Sequence, residues 1–159
     1  LPISYGLAPL GLDALDMLRI EAGLVFADHE FCPETNPFEA GIGFTVPMKT
    51  KEEDFVGREA MARQAPESRH KLMGLVIDST ELVSHGDQIF HGRFPVGGVT
   101  SATQSPLLKQ SIALCRLAPD FAKPGTPLEV GRLNGQEKRL TDEVDAIPFY
   151  DKERTRDRS

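Results

Sequence analysis

The chain has 159 residues, with 24 Asp and Glu against 18 Lys and Arg, a formal net charge of −6. That balance argues against nucleic acid or an anionic membrane surface as the main partner, because both reward clustered Lys and Arg. Apolar runs are all shorter than the roughly 18 residues that span a bilayer, so no membrane partner is expected. Two cysteines, Cys32 and Cys115, stand far apart among apolar neighbours. They are expected as reduced thiols in a cytoplasmic setting rather than as a disulfide framework. The length allows one sizeable domain or two small ones. The sequence opens on Leu1 and runs almost directly into a helix, so it is expected to be part of something longer.

The first element spans LDALDMLRIEAGLVFADHE, residues 12–30. At about 3.6 residues per turn, Leu12, Leu15, Met17 and Leu18 form an apolar stripe, with Asp13, Asp16 and Arg19 turned away from it. Gly23 is the expected stop. Glu21 borders the stripe in the last turn, where the helix dipole disfavours negative charge. Two readings fit: a frayed turn with Glu21 in solvent, or a binding carboxylate aimed into a cavity.

Beyond Gly23, the apolar LVFA is compatible with a short strand. DHEFCPETNP is a polar loop with two prolines, and FEAGIGFTVPM carries a Gly-x-Gly that lacks the third glycine and the following helix of a phosphate loop. KTKEED is charged and expected to be exposed. DFVGREAMARQAP reads as a short helix stopped by Pro66, with Asp54 as a candidate cap and Phe55 and Val56 packed against Ala60 or Met61.

From Leu72 the texture becomes β. LMGLVI, QIFHG, RFPVGGVTSAT, SIALCRL, PLEVGRL and KRLTDEVDAI are short apolar runs. Turn signals separate them, the strongest being Asn134-Gly135, where both residues tolerate the positive φ of a type I′ hairpin. The chain is therefore expected to be α+β. Residues 1–70 form an N-terminal α/β region, residues 71–150 an antiparallel Greek-key barrel of about six strands, and residues 151–159 a charged, disordered tail. His29 and Cys32 have ligand-like spacing, but zinc needs three or four compact ligands, so no metal site is expected. Cys115 reads as core packing, and no nucleophile or zinc-protease motif is present.

Several stretches, taken in order, resemble the C-terminal part of the aminomethyltransferase family, the T-protein of the glycine cleavage system and its relatives. LRIEAG is similar to Leu-Arg-Leu-Glu-Ala-Gly, TNPFEAGIGF to Pro-Leu-Glu-Ala-Gly-Leu-Gly-Trp, and DFVGREA to Asp-Phe-Ile-Gly-Arg-Glu-Ala. GGVTSATQSPLL and IALCRL resemble Gly-x-Val-Thr-Ser-Gly-Thr-x-Ser-Pro-x-Leu and Ile-Ala-Leu-Ala-Arg-Val, and PFY falls where the family ends. The resemblance runs from about Gly6 to Tyr150. It implies tetrahydrofolate chemistry: a one-carbon unit moved to or from folate, supplied in the glycine cleavage version by a lipoyl carrier protein. It assigns the pterin to Glu21, because the pterin 2-amino group and adjacent ring N–H offer two parallel donors that one carboxylate accepts. Lys49 is the candidate partner of the glutamyl tail. Arg58 is expected to be structural, and Thr100, Ser101 and Ser105 to serve turns and backbone bonding in the barrel.

The departures are Phe44 for Trp, Ala102 for Gly, and Ala27-Asp28-His29 for the common Tyr-Gly-His wording after the helix. The family's catalytic Asp belongs to the N-terminal half, so no catalytic residue is expected in this stretch, and the stretch alone is expected to be inactive. Two alternatives stand beside a stand-alone transferase. One is the folate-binding module at the C-terminus of a flavin-dependent dimethylglycine- or sarcosine-type dehydrogenase. The other is a non-catalytic folate-binding iron–sulfur maturation protein. The latter group carries Lys-Gly-Cys-Tyr-x-Gly-Gln-Glu where this chain reads DFVGREA, without a Cys.

Overall fold

The structure, a computed structural model, describes residues 2–49, 53–78, 81, 83–131 and 139–153. The described N-terminal residues carry a helix α1 (Leu12–Glu21), a 3-10 turn at Gly43–Thr45 and a second helix α2 (Arg58–Gln64). Six strands follow: β1 (Lys71–Ile77), β2 (Gln88–His91), β3 (Phe94–Ser105), β4 (Gln110–Leu117), β5 (Pro127–Gly131) and β6 (Arg139–Asp145). They close into an antiparallel barrel in the order β1-β4-β3-β2-β5-β6. The strands β2, β3 and β4 pair in succession and β1 returns beside β4, which is Greek-key connectivity. The expected α+β class and six-stranded barrel are the observed ones. Asn134-Gly135 lies outside the described residues.

The alternation that builds the barrel is plainest in β6. In β6, Leu140, Asp142 and Val144 face inward while Arg139, Thr141 and Glu143 are exposed. The interior collects Leu75, Ile77, Ile89, Val99, Ala113, Cys115, Leu117, Leu128 and Val130. A second cluster lies where α1 crosses the outer face of the barrel: Ile20, Leu72, Ile112, Leu114 and Phe149. Burying Ile20 completely contributes about 2 kcal/mol. The C-terminal segment closes this cluster. The ring of Phe149 lies so close to Gly74 that a Cβ there would meet it at 2.6 Å, and the amides of Phe149 and Tyr150 both donate to the Glu21 carbonyl.

The wheel of α1 does not describe how it packs. Leu12, Leu15 and Leu18 are exposed, whereas Arg19, Ile20 and Glu21 are buried. Only the last turn of this ten-residue helix rests on the barrel. LVFA makes a single isolated bridge, Ala27 to Phe31, rather than a strand. The reason is local: Leu24 N–H closes the helix on the Arg19 carbonyl, and Asp28 takes φ +64, turning the chain back on itself. At α2 the cap is Gly57 at φ +91, with no side-chain cap bond. Asp54 instead accepts from the neighbouring Phe55 amide, and Val56 is fully exposed rather than packed on the helix.

The interior has one polar anomaly. Asp142 is 3% exposed and neither carboxylate oxygen has a hydrogen-bond partner. Burial pushes its pKa up to about 7 and the Glu129 charge adds to the rise, while the nearby Val130 backbone, short of hydrogen-bonding geometry, opposes it. Burial likewise pushes the Cys115 thiol up, with Asp142 adding to it. Because the folded state holds the Asp142 proton more tightly than the unfolded chain does, its contribution to stability is fully present below pH 4. It is lost as pH rises through about 7, a change on the order of a few kcal/mol. Asp142→Asn removes this dependence. Urea midpoints of the variant are expected to match the wild type near pH 4.5 and exceed it at pH 8; parallel midpoints at both pH values would contradict the account.

Candidate binding site

The two carboxylates of the α1 region, Glu21 and Glu30, are both buried and both held from β3. Glu30 is fully buried and forms the centre of a network. Its Oε2 accepts from Arg19 Nη1 at 2.7 Å and from the Phe26 amide at 2.9 Å. Its Oε1 accepts from Ser101 Oγ at 2.5 Å and Thr100 Oγ1 at 3.0 Å. Arg19 in turn donates to Ser101 Oγ and to Asp16, and its guanidinium lies 4.7 Å from the centre of the Phe26 ring.

Adjacent strand residues ordinarily face opposite sides of a sheet, yet Thr100 and Ser101 reach the same carboxylate. A register shift between Val99 and Ser101 makes this possible. The extra residue of such a bulge re-aims the side chains around it. Thr100, Ser101 and Ser105 therefore hold side-chain carboxylates rather than serving only turns and the barrel backbone. These hydroxyls also neutralise part of the burial cost that would otherwise make the ion pair unfavourable.

Glu21 is 4% exposed. Its Oε1 accepts from Ser105 Oγ at 2.5 Å, and the same hydroxyl accepts from the Leu108 amide. The carboxylate borders a cleft of about 360 Å³ whose other walls are Leu15, Leu18, Arg19, Ala22, Leu24, Leu107 and Tyr150. Glu21 is thus neither frayed nor in solvent: it is an oriented carboxylate in a largely apolar wall. Such a site suits a flat ring that presents N–H donors along one edge.

Lys49 is exposed and does not line this cleft. Its neighbour is pinned by Arg58, which donates to the carbonyls of Met48 and Glu53, so Arg58 ties its helix to the preceding turn. His29 and His85 meet edge to face at 5.9 Å between ring centres. His85 Nδ1 lies 2.7 Å from the Thr100 carbonyl, and Cys32 is engaged by Thr35. Among the described residues no group of three or more His, Cys, Asp or Glu is placed to hold a metal ion. Sequence reasoning singled out Glu21 but missed Arg19 and Glu30, because their partners are up to 82 residues away.

A last-turn carboxylate held beside a largely apolar cleft by a six-stranded barrel defines a helix-and-barrel module. Residues 70–151 match the family described as glycine cleavage T-protein C-terminal barrel domain, and residues 3–50 match the GCVT N-terminal domain. The chain is 49% identical over 156 residues to the trimethylamine-oxide aldolase of Ruegeria pomeroyi, covering 98% of this chain and 20% of that protein. It is 42% identical to the probable aminomethyltransferase of Natronomonas pharaonis, covering 90% of this chain and 39% of that one. The aminomethyltransferase of Synechococcus is 39% identical, with 93% and 40% covered. The fold matches the crystal structure of the glycine cleavage system aminomethyltransferase T from Bartonella henselae. That match has a TM-score of 0.79 at 24% identity, over 88% of this chain and 39% of that one. The chain belongs to the glycine cleavage T-protein, or aminomethyltransferase, family. It spans about two fifths of the length of its aminomethyltransferase relatives.

Removing one partner of a buried ion pair costs about 3–5 kcal/mol, because the other charge is left alone. Glu30→Gln and Arg19→Met are each expected to destabilise in that range, and the double variant by far less than their sum. Urea unfolding of the full cycle checks this; additive losses would show that the two charges are not coupled.

Proposed function

We propose that the protein carrying this chain is a tetrahydrofolate-dependent one-carbon transferase of the aminomethyltransferase type, and that this stretch supplies one wall of its folate site. The observation that carries the reading is Glu21, a buried carboxylate oriented by Ser105 within the apolar cleft. The parallel donors of a pterin edge meet one carboxylate with charge-assisted bonds, which strengthen where water is kept out. The leucines and Tyr150 supply apolar surface for the ring. Lys49, outside the cleft, is proposed to meet the carboxylates of the folate tail; an exposed pair of that kind contributes at most about 1 kcal/mol.

The catalytic groups are proposed to lie in sequence outside this stretch, so that the stretch binds and positions but does not turn over alone. Three exposed leucines of α1, Leu12, Leu15 and Leu18, offer a face for the rest of the parent protein to cover. A lipoyl carrier is the donor partner in the glycine cleavage version of this reading. No helix among the described residues is long and apolar enough to cross a membrane. Both cysteines are unpaired, which supports a reducing, cytoplasmic compartment.

A second reading has its own support: the stretch as a folate-binding module within a longer enzyme that acts on a methylated amine. The relative named trimethylamine-oxide aldolase matches nearly the whole chain with only a fifth of its own length. A dehydrogenase of the dimethylglycine or sarcosine type would carry a Gly-x-Gly-x-x-Gly fingerprint in its flavin domain, which sequence upstream of Leu1 would reveal. Both readings share the folate wall. Calorimetric titration of the full chain with tetrahydrofolate is expected to show Glu21→Gln binding about tenfold or more weakly, with Lys49→Ala losing a smaller factor. Equal affinity for wild type and Glu21→Gln would remove Glu21 from the site.

A further inference from the structure

The chain carries a net charge of −6, yet one patch on the outside of its barrel gathers only positive or protonatable groups. A pocket of about 290 Å³ is lined there by His70, His85, Arg116, Thr100 and the backbone of Gly97 and Gly98. Among the described residues no Asp or Glu borders it. Strand register places Gly98 and Leu72 on either side of Arg116, and residues opposite one another share a face of the sheet. Leu72 belongs to the outer cluster beneath α1, so Arg116 stands on the outside of the barrel. Beside it Gly98 leaves an open floor: a Cβ there would meet only the Asp87 carbonyl, at 3.7 Å. His85 reaches the pocket from the connection between β1 and β2, and His70 from the position just before β1.

These groups have donors to spare, and they are open to solvent. Arg116 is half-buried, and His70 and His85 are exposed. The two bonds of Arg116 are long: Nη1 to Thr35 Oγ1 at 3.4 Å and Nη2 to the His29 carbonyl at 3.5 Å. Both partners are neutral, and among the described residues no carboxylate pairs with this guanidinium. Arg19 is the contrast, since Glu30 and Asp16 both pair with it. A guanidinium without a carboxylate is a receptor for an oxyanion, whose oxygens match its planar fork. His85 Nδ1 lies 2.7 Å from the Thr100 carbonyl. A carbonyl only accepts, so Nδ1 carries a proton and Nε2 is left for a ligand, as a donor when the ring is protonated. His29 packs edge to face on the same ring. The imidazoles do not converge as metal ligands among the described residues, so the site suits an anion rather than a cation.

We propose that this pocket binds a phosphate group, with the Arg116 guanidinium as its anchor and His70 and His85 closing on the remaining oxygens. Donors arriving from three separate parts of the chain suit a tetrahedral group. A flat carboxylate would engage the guanidinium and leave the imidazoles unused. The pocket has room for the phosphate and little beyond it, so the ligand is either free phosphate or the terminal phosphate of a molecule that extends into solvent. The site is separate from the Glu21 cleft, with which it shares no lining residue. Ser105, which holds Glu21, lies at the far end of β3. The proposal therefore stands apart from the folate reading.

Calorimetric titration of the full-length protein that contains this chain tests the proposal. It is run at constant ionic strength and about pH 6, where an ordinary imidazole is mostly protonated. The probes are inorganic phosphate, methyl phosphate and acetate. Phosphate is expected to saturate a single site, and acetate to bind about tenfold or more weakly. Methyl phosphate bound as well as phosphate assigns the site to a phosphomonoester, and its rejection assigns the site to free phosphate. Arg116→Gln is expected to weaken phosphate binding about tenfold or more, with Arg116→Lys recovering part of the loss. His85→Gln, at an exposed position, is expected to weaken it by a smaller factor and carries the test should Arg116→Gln fail to fold. Thermal unfolding without ligand separates loss of binding from loss of fold. Absence of saturable phosphate binding, acetate bound as tightly as phosphate, or binding unchanged in either folded variant would each overturn the proposal.

Discussion

The buried pair of Arg19 and Glu30 decides how the N-terminal part of this chain sits on its barrel. Two opposite charges removed from water are costly, and attraction alone rarely compensates. Here the remaining hydrogen-bonding capacity is also filled: Glu30 by Phe26, Thr100 and Ser101, and Arg19 by Asp16 and Ser101. The pair therefore works as a registration pin. It sets the last turn of α1, the turn at residues 24–31 and the bulge of β3 in one arrangement. Two residues beyond Arg19, that arrangement leaves Glu21 facing the cleft, with its side chain on Ser105 and its carbonyl on the C-terminal segment.

The barrel was largely legible because its signals are local. Inward and outward residues alternate, and turn residues interrupt at short intervals. The helix was legible in extent but not in orientation. A wheel assumes that the most apolar face is the buried one, and α1 instead buries a charged residue with its partner and leaves three leucines exposed. No periodicity can announce that inversion, since the cause is a glutamate eleven residues on and hydroxyls more than 80 residues away. The roles of Thr100 and Ser101 depend on one extra residue in β3, which alternation patterns read only as noise. Glu21 could be singled out for its awkward place near a helix C-terminus and for its motif. Its hydroxyl partner could not.

Burial has opposite consequences for the chain's acidic groups. Glu21 and Glu30 are buried with donors supplied by β3 and by α1 itself, so burial orients them. Asp142 is buried across the barrel with no partner in hydrogen-bonding geometry on either oxygen, and burial raises its pKa. The same strand, β3, serves both sides of the wall: Ser105 and Ser101 turn outward to the helix, while Gln104 turns in toward Ser111 and Asp142.

Hydrogen exchange measured by mass spectrometry on Glu30→Gln tests the pin most directly. If the Arg19–Glu30 pair registers α1 on the barrel, amides of residues 12–31 lose protection in the variant while β1, β4 and β6 keep theirs. Unchanged protection across residues 12–31 would contradict the account, because apolar packing around Ile20 would then be enough to hold the helix and its carboxylate in place.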